Sequence, residues 1–269
     1  PESLIFAVLL VCGIGFFLRN VFRLFSIICL GQWENRFDRL WSRLKGMFVY
    51  AFLQLRVVSE KFGINHFFLF WGFMVLLLVN TQFFVSGVFP RFSFAFLGAI
   101  PYGILLLMAD IMSLVVLACV VIAVIRRVFF RPPHIEATLD AFFILFLVAS
   151  LMAAYFGLHA CEIRLGTEPM AAWIPVSAAF SKLAAGASPE SAHLYARVFW
   201  WIHALVLLFF LNYLPYSKHL HILTAIPNCF FRSFSFVSTV PRMVFKKGNT
   251  FGVSKVVQFT WKDLLDFFS

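Results

Sequence analysis

The sequence is short of charge. Only 13% of its 269 residues are Asp, Glu, Lys or Arg, and only 12 are acidic, against 62% hydrophobic residues and 38 phenylalanines. With a mean hydropathy of +0.92, the chain lacks the polar surface that would close around a water-soluble core, which excludes a soluble globular domain. Cysteine is also scarce: five residues, at 12, 29, 119, 161 and 229, stand singly and mostly in apolar stretches. With no CxxC pair and no Cys/His finger spacing, neither a disulfide framework nor an iron–sulfur site is written into these residues. There is no inverted repeat and no matched pair of glycine- or proline-broken helices, the usual frame of a transporter. The chain opens on Pro1, and its first apolar run, Leu4 to Leu18, is short for a span. No basic residue precedes that run and no small-residue cleavage site follows it, so it does not read as a secretory signal. Arg19 and Arg23 follow instead, as at the cytoplasmic end of a first span clipped at its start.

What is present are long apolar runs. Beyond the first span, the pattern predicts helices over Ile64 to Ser86, Pro101 to Ile125, Thr138 to Leu158, and from Pro189 and Glu190 onward to Pro215. An all-α, polytopic membrane protein with a bundle of five transmembrane helices follows. Residues 32–63 are more charged. Leu40, Leu44, Met47, Phe48, Phe52 and Leu55 recur there at helical spacing opposite Arg39, Arg43 and Lys45, which predicts an amphipathic helix on the membrane surface. R-P-P-H at 131–134 marks a turn, and His159 to Ser188 reads as a loop of small and polar residues.

A net charge of +10 would suggest nucleic acid for a soluble domain. In a membrane chain the placement of the basic residues decides, and nucleic acid is excluded as a partner. Residues 19–62, the turn after the third span and the tail after Pro215 hold 18 Lys and Arg, and the opposite side holds four: Arg91, Arg164, Lys182 and Arg197. This places the N-terminus outside and the C-terminus in the cytoplasm, within a bacterial or archaeal cytoplasmic membrane.

The histidines carry the chemistry. His203 lies inside the fifth span, and His219 and His221 lie just past its far end. If that helix ran on through Pro215, His203 and His221 would be about 27 Å apart along its axis, nearly a hydrocarbon thickness. An imidazole at each face suits haems that carry electrons across the membrane. On this topology His66, at the cytoplasmic entrance of the second span, lies at a depth similar to His221, and the two can share one iron. A residue of an interfacial aromatic belt is the other reading of His66, and a hydrogen bond to a neighbouring helix the other reading of His203. An outer partner for His203 is not evident, since His159 and His193 both look shallow. Asp110, inside the third span, has two readings as well: a quinone or proton-path carboxyl, or a hydrogen-bonded carboxyl that packs helices.

Several stretches together resemble a known family: E-N-R-F-D-R-L-W-S-R-L-K-G at 34–46, N-H-F-F-L-F-W-G-F at 65–73, Asp110, R-R-V-F-F-R-P at 126–132 and Y-S-K-H-L-H-I-L-T-A-I-P-N at 216–228. The chain is similar to the membrane cytochrome b domain of the respiratory nitrate reductase gamma-subunit type. It resembles more closely the version fused to iron–sulfur domains in heterodisulfide reductase-like oxidoreductases, including electron-transfer flavoprotein:menaquinone oxidoreductases. The resemblance implies two ligand histidines on the second helix and two on the fifth. His66 matches the first of the former pair, and His203 and His221 match the latter. The fourth is expected near Leu76, where no histidine stands, so the outer haem needs His159 or another ligand. S-K-x-x-H favours His221 over His219 as ligand, leaving His219 to contact a haem propionate or a soluble partner.

The expectation is therefore a membrane cytochrome b domain over 1–228 and a basic cytoplasmic linker over 229–269. It would hold one or two haems b and transfer electrons between a cytoplasmic iron–sulfur domain or electron-transfer flavoprotein and the menaquinone pool. The linker resembles one that leads into a cysteine-rich domain, so any iron–sulfur clusters would belong to a further domain or a partner. A basic tail on anionic lipid would look alike. The alternatives are a small transporter or proton channel, or a cofactor-free membrane anchor, and both predict a colourless protein.

Overall fold

A computed structural model describes residues 2–130, 138–234, 253 and 255–268. The R-P-P-H turn, and Arg242, Lys246 and Lys247 of the tail, lie outside the described residues. The described chain is helical, with no strand beyond one isolated bridge between Gln32 and Thr260. Five helical stretches are long and apolar enough to cross a membrane: Glu2–Ile28, Gly63–Val88, Ala99–Phe130, Leu139–Leu165 and Pro189–Tyr216. We label α1 Glu2–Ile28, α2 Leu40–Met47, α3 Gly63–Val88, α4 Ala99–Ile125, α5 Leu139–Leu165, α6 Pro175–Ser181, α7 Pro189–Tyr213, α8 His221–Phe230 and α9 Trp261–Phe267.

Local signals set the ends of these helices. Gly98, at φ +102°, precedes α4, and Pro101 sits in its first turn, where its missing N–H costs no helical bond. Thr138 caps α5 by accepting the Ala141 N–H at 3.3 Å, and Gly166, left-handed at φ +71°, closes it. Ser188 Oγ accepts the Ser191 N–H at 3.2 Å at the start of α7, with Pro189 in its first turn. At the far end Pro215 has no N–H to donate, and the chain tightens into 3₁₀ turns over Leu214–Tyr216 and Lys218–Leu220 before α8 begins. The uninterrupted α-helix from His203 to His221 is therefore not formed. α5 runs seven residues beyond its expected end, so His159, Glu162 and Arg164 are helical and do not belong to a loop.

The chain divides into two compact units. The first comprises residues 1–16 and 57–213. Its core joins Val75 and Leu76 of α3, Ala109 and Val116 of α4, and Leu151 and Met152 of α5. A second cluster sets Phe6 of α1 against Ala204 and Leu208 of α7, flanked by Phe83, Trp200 and Trp201. Close approach depends on small residues, as is usual where lipid tails offer no hydrophobic drive between helices. A Cβ on Gly72 would stand 2.3 Å from Val116 Cγ2, and one on Gly157 would stand 2.7 Å from the Phe199 ring. Hydroxyls inside the spans turn back on their own helix: Thr81 Oγ1 donates to the Leu77 carbonyl at 2.7 Å, and Ser150 Oγ to the Phe146 carbonyl at 2.8 Å.

The second unit comprises residues 17–56 and 214–269. Its amphipathic segment is not one helix. α2 passes into a π-helical turn, Phe48–Phe52, and left-handed backbone at Gln54 (φ +49°) interrupts it before a short helical turn at Leu55–Val58. The tail returns to this segment. Gln32 N–H donates to the Phe259 carbonyl at 2.8 Å, Trp261 N–H to the Gln32 carbonyl at 3.0 Å, and the Trp261 indole N–H to the Glu34 carbonyl at 2.8 Å. Arg43 is buried and ties α2 to the end of α8, donating to the Asp38 carbonyl at 2.7 Å, the Arg232 carbonyl at 3.0 Å and the Phe230 carbonyl at 3.3 Å. It also pairs with the Asp38 carboxylate, and that hydrogen bond holds Asp38 below the usual carboxylate range.

Filling the α3/α4 contact should strain the first unit. Gly72→Val is expected to cost about 1–3 kcal/mol by overpacking, read as a lowered thermal midpoint in detergent. Adding Val116→Ala should recover most of the loss. Equal midpoints for wild type and Gly72→Val would show that this approach is not tight.

Candidate functional site

The polar residues of the first unit fall into three groups. Asp110 is fully buried on α4. Its Oδ2 accepts the Val176 N–H at 2.6 Å, while Oδ1 accepts the Ser177 N–H at 3.1 Å and the Ser177 hydroxyl at 2.6 Å. The carboxylate thus caps α6 from another helix and supplies the acceptor that the uncapped start of α6 lacks in its own sequence. These bonds account for its burial by the packing reading. The quinone or proton role is not required by them. Tyr155 and Ser113 bury their hydroxyls without a hydrogen-bond partner among the described residues.

His203 of α7 is buried, 4% exposed. Its Nε2 lies 3.0 Å from Asn80 Oδ1 on α3, and the ring meets the edge of Phe83 with centroids 4.8 Å apart. Nδ1 has no well-aligned partner among the described residues, although the Leu151 carbonyl of α5 is close to the ring. The facing imidazole is expected near Leu76. Leu76 is part of the apolar core, and the group that faces His203 is an amide, one helical turn further along α3. The signal was available as N-T-Q at 80–82, polar residues inside an apolar run. As built by these residues, His203 has a hydrogen-bonded amide partner.

His159 closes the third group. Its Nδ1 lies 3.1 Å from Glu168 Oε2 and 3.4 Å from Glu162 Oε2, and its ring packs edge-on against Tyr155. The three ligand atoms fall within 4.8 Å of one another. The carboxylate hold on Nδ1 is the kind that orients a metal-ligating histidine. Glu168 lies beyond the end of α5. Burial alone would raise its pKa, but the hydrogen bonds from His159 and from the Met170 N–H outweigh it and hold the carboxyl below the ordinary glutamate range. Neither glutamate was singled out from the sequence.

Of the other candidate ligands, His66 belongs to the first unit and His219 and His221 to the second. In the first, His66 is exposed in the first turn of α3, next to Asn65, whose Nδ2 donates to the Cys119 carbonyl of α4 at 3.3 Å. In the second, His221 opens α8 with Nδ1 2.9 Å from the Lys218 carbonyl, and the rings of His219 and His221 are 5.6 Å apart.

Against this geometry, two curated proteins align with nearly the whole chain. One is named EtfAB:quinone oxidoreductase, from Syntrophomonas wolfei subsp. wolfei, and is 29% identical over 98% of this chain. The chain is related to oxidoreductases. The other is named Probable iron-sulfur-binding oxidoreductase FadF, from Bacillus subtilis, and is 24% identical over the full chain. The chain spans 38% of the length of each. No protein-family description matches the chain. No solved structure matches it either. The chain thus has five helices long and apolar enough to cross a membrane, and both relatives are named as oxidoreductases.

Two outcomes test this geometry. Asp110→Ala leaves three donors buried without acceptors, at about 1–3 kcal/mol each, so a marked fall in thermal midpoint is expected, with Asp110→Asn recovering part of it. An unchanged midpoint for Asp110→Ala would remove the capping role. Because the folded-state pKa of Glu168 is depressed, its contribution to stability is full above the ordinary glutamate value and fades as pH falls through the folded value. Between about pH 5 and pH 3 the wild type should lose more stability than Glu168→Gln. Parallel acid limbs would show that Glu168 adds nothing.

Proposed function

We propose that this chain is the membrane domain of a quinone-linked oxidoreductase. It carries electrons between a cytoplasmic donor, an iron–sulfur domain or an electron-transfer flavoprotein, and menaquinone, with haem b as carrier. The observation that carries the proposal is the alignment of nearly the whole chain with a relative whose name holds both ends of such a path, EtfAB and quinone. Five apolar spans and an imidazole buried within one of them support it. The bundle would be of the nitrate reductase gamma-subunit type, with the N-terminus outside and the C-terminus in the cytoplasm, as the distribution of basic residues suggests. Iron–sulfur clusters would belong to a cytoplasmic domain or partner.

Haem b, when bound, supplies one-electron chemistry at a potential set by its ligands and surroundings. His66 and His221 are the candidate ligands for the cytoplasmic side, each with its imidazole near the end of a helix. His203 is the candidate on the outer side, with His159 as a further ligand and His219 as a propionate contact. The Asn80 amide limits the outer position, since it uses one His203 nitrogen. A His203 that is not bound to iron would, with its Nε2–H on Asn80 Oδ1, present Nδ1 as an acceptor to a quinol hydroxyl. Asp110 stays a candidate for the proton path. Unchanged quinone reduction and pH dependence in Asp110→Asn would remove it.

The deciding measurement is a dithionite-reduced minus oxidised spectrum of the detergent-purified chain, with pyridine haemochromogen quantification. At least one haem b per chain is expected, and His66→Ala and His221→Ala should each lower that content. Two haems would require a ligand for the outer iron beyond the Asn80–His203 pair. Protein made with ample haem supply that is nonetheless colourless overturns the proposal and favours a proton channel, a transporter or a plain membrane anchor.

A further inference from the structure

The second unit holds a cluster of positive charge that the proposed electron path does not use. A polar cavity of about 250 Å³ is lined by Asn35, Arg36, Asp38, Arg39, Arg43 and Phe234, among others. Arg43 is 2% exposed and is fixed in the wall by its three backbone carbonyls. The Phe234 ring gathers three guanidinium groups, with Arg43, Arg232 and Arg39 at 4.9, 5.0 and 5.6 Å from its centroid. Arg232 also lies against the Tyr50 ring at 4.7 Å and over Gly46, where a Cβ would stand 2.7 Å from its Nε. Packing thus holds these groups together in spite of their like charge.

Counter-charge is incomplete. Four arginines, at 36, 39, 43 and 232, face two carboxylates. Glu34 is paired to Arg36 at 2.7 Å, and Asp38 is shared between Arg43 and Arg39. The Nε atoms of Arg36 and Arg232 are buried with no hydrogen-bond partner among the described residues. A buried guanidinium donor without an acceptor is costly, and an oxyanion is its natural complement. The chain from Cys229 to Lys262 contains no Asp or Glu, so that stretch brings no further negative charge. Beside the cavity, Trp33 and Trp41 are 76% and 79% exposed, and Phe37, Leu40 and Leu44 are also exposed. Tryptophan and leucine next to arginine form the surface that settles at the headgroup level of a bilayer.

We propose that this cavity binds the phosphate of an anionic phospholipid headgroup, with Arg36 and Arg39 as its principal ligands, Arg43 as a fixed positive wall and Arg232 as added positive charge against the Phe234 ring. Planar guanidinium forks match the geometry of a phosphate oxyanion. The exposed Trp33, Trp41 and Leu44 select a lipid over a free anion, because they lie beside the cavity and suit the acyl boundary. The site differs from diffuse attraction of a basic tail in that it is a cavity with assigned donors.

The test uses the full chain in mixed micelles, with bound phosphatidylglycerol counted by native mass spectrometry over a lipid titration. Wild type should retain phosphatidylglycerol in preference to phosphatidylcholine. Arg36→Gln alone and Arg36→Gln with Arg39→Gln should weaken retention by about fivefold per arginine. Arg19→Gln with Arg23→Gln removes the same charge elsewhere and should leave retention near the wild-type value. Equal losses in the cavity and control variants would overturn the site in favour of general surface charge. If inorganic phosphate competes with the lipid at millimolar concentration and protects the chain equally in phosphatidylcholine alone, the lipid assignment is overturned and the cavity is a free-phosphate site. Arg36→Gln keeps the Arg39 stacking intact, so a folding defect in the double variant would not remove the test.

Discussion

In a hydrocarbon surrounding, a polar group without a partner costs several kcal/mol. The described structure is organised around that cost. Some polar side chains inside the spans bond back to their own helix, as Thr81 and Ser150 do, and others join two elements. Asp110 fixes α6 to α4, and His203 fixes α7 to α3 through Asn80. In the second unit, Arg43 fixes α2 to the end of α8 by three carbonyl contacts. Apolar packing between these helices is tight but not selective, and the polar contacts set which faces meet.

The same constraint bears on the chemistry. A buried imidazole must bind something, and in this arrangement His203 binds an amide. That is a different resource from a histidine facing another histidine. With its Nε2–H on the amide oxygen it offers an Nδ1 lone pair of defined tautomer at a buried position, whereas the site implied by the family resemblance sets two imidazoles facing each other. The C-terminal end of α5 is distinct again. There two carboxylates meet one imidazole beside a buried tyrosine, giving a polar cluster with the ligand types of a metal centre.

Much of this frame was legible in the sequence. Hydropathy and the turn residues located all five spans, and S-P-E marked the start of α7. The period of the apolar residues over 40–55 indicated a helix but not its breaks, because left-handed backbone at Gln54 and the π turn are settled by contacts and not by periodicity. Asp110 and His203 could be singled out as ionisable residues in apolar runs, each with its packing alternative. Their partners could not be named: Ser177 and Val176 lie more than sixty positions from Asp110, and Asn80 lies 123 positions from His203.

The sequence by itself determined that this chain belongs in a membrane, how many times it can cross, and which few polar residues are too costly to be incidental. Those properties follow from composition and local order, since transfer from water to lipid depends on each residue and its neighbours along one helix. Only the tertiary structure decided what each costly residue is paired with: a helix end for Asp110, an amide for His203, two carboxylates for His159 and backbone carbonyls for Arg43. Pairing depends on distances between residues far apart in the chain, and helical periodicity carries no information about which helix will supply the partner.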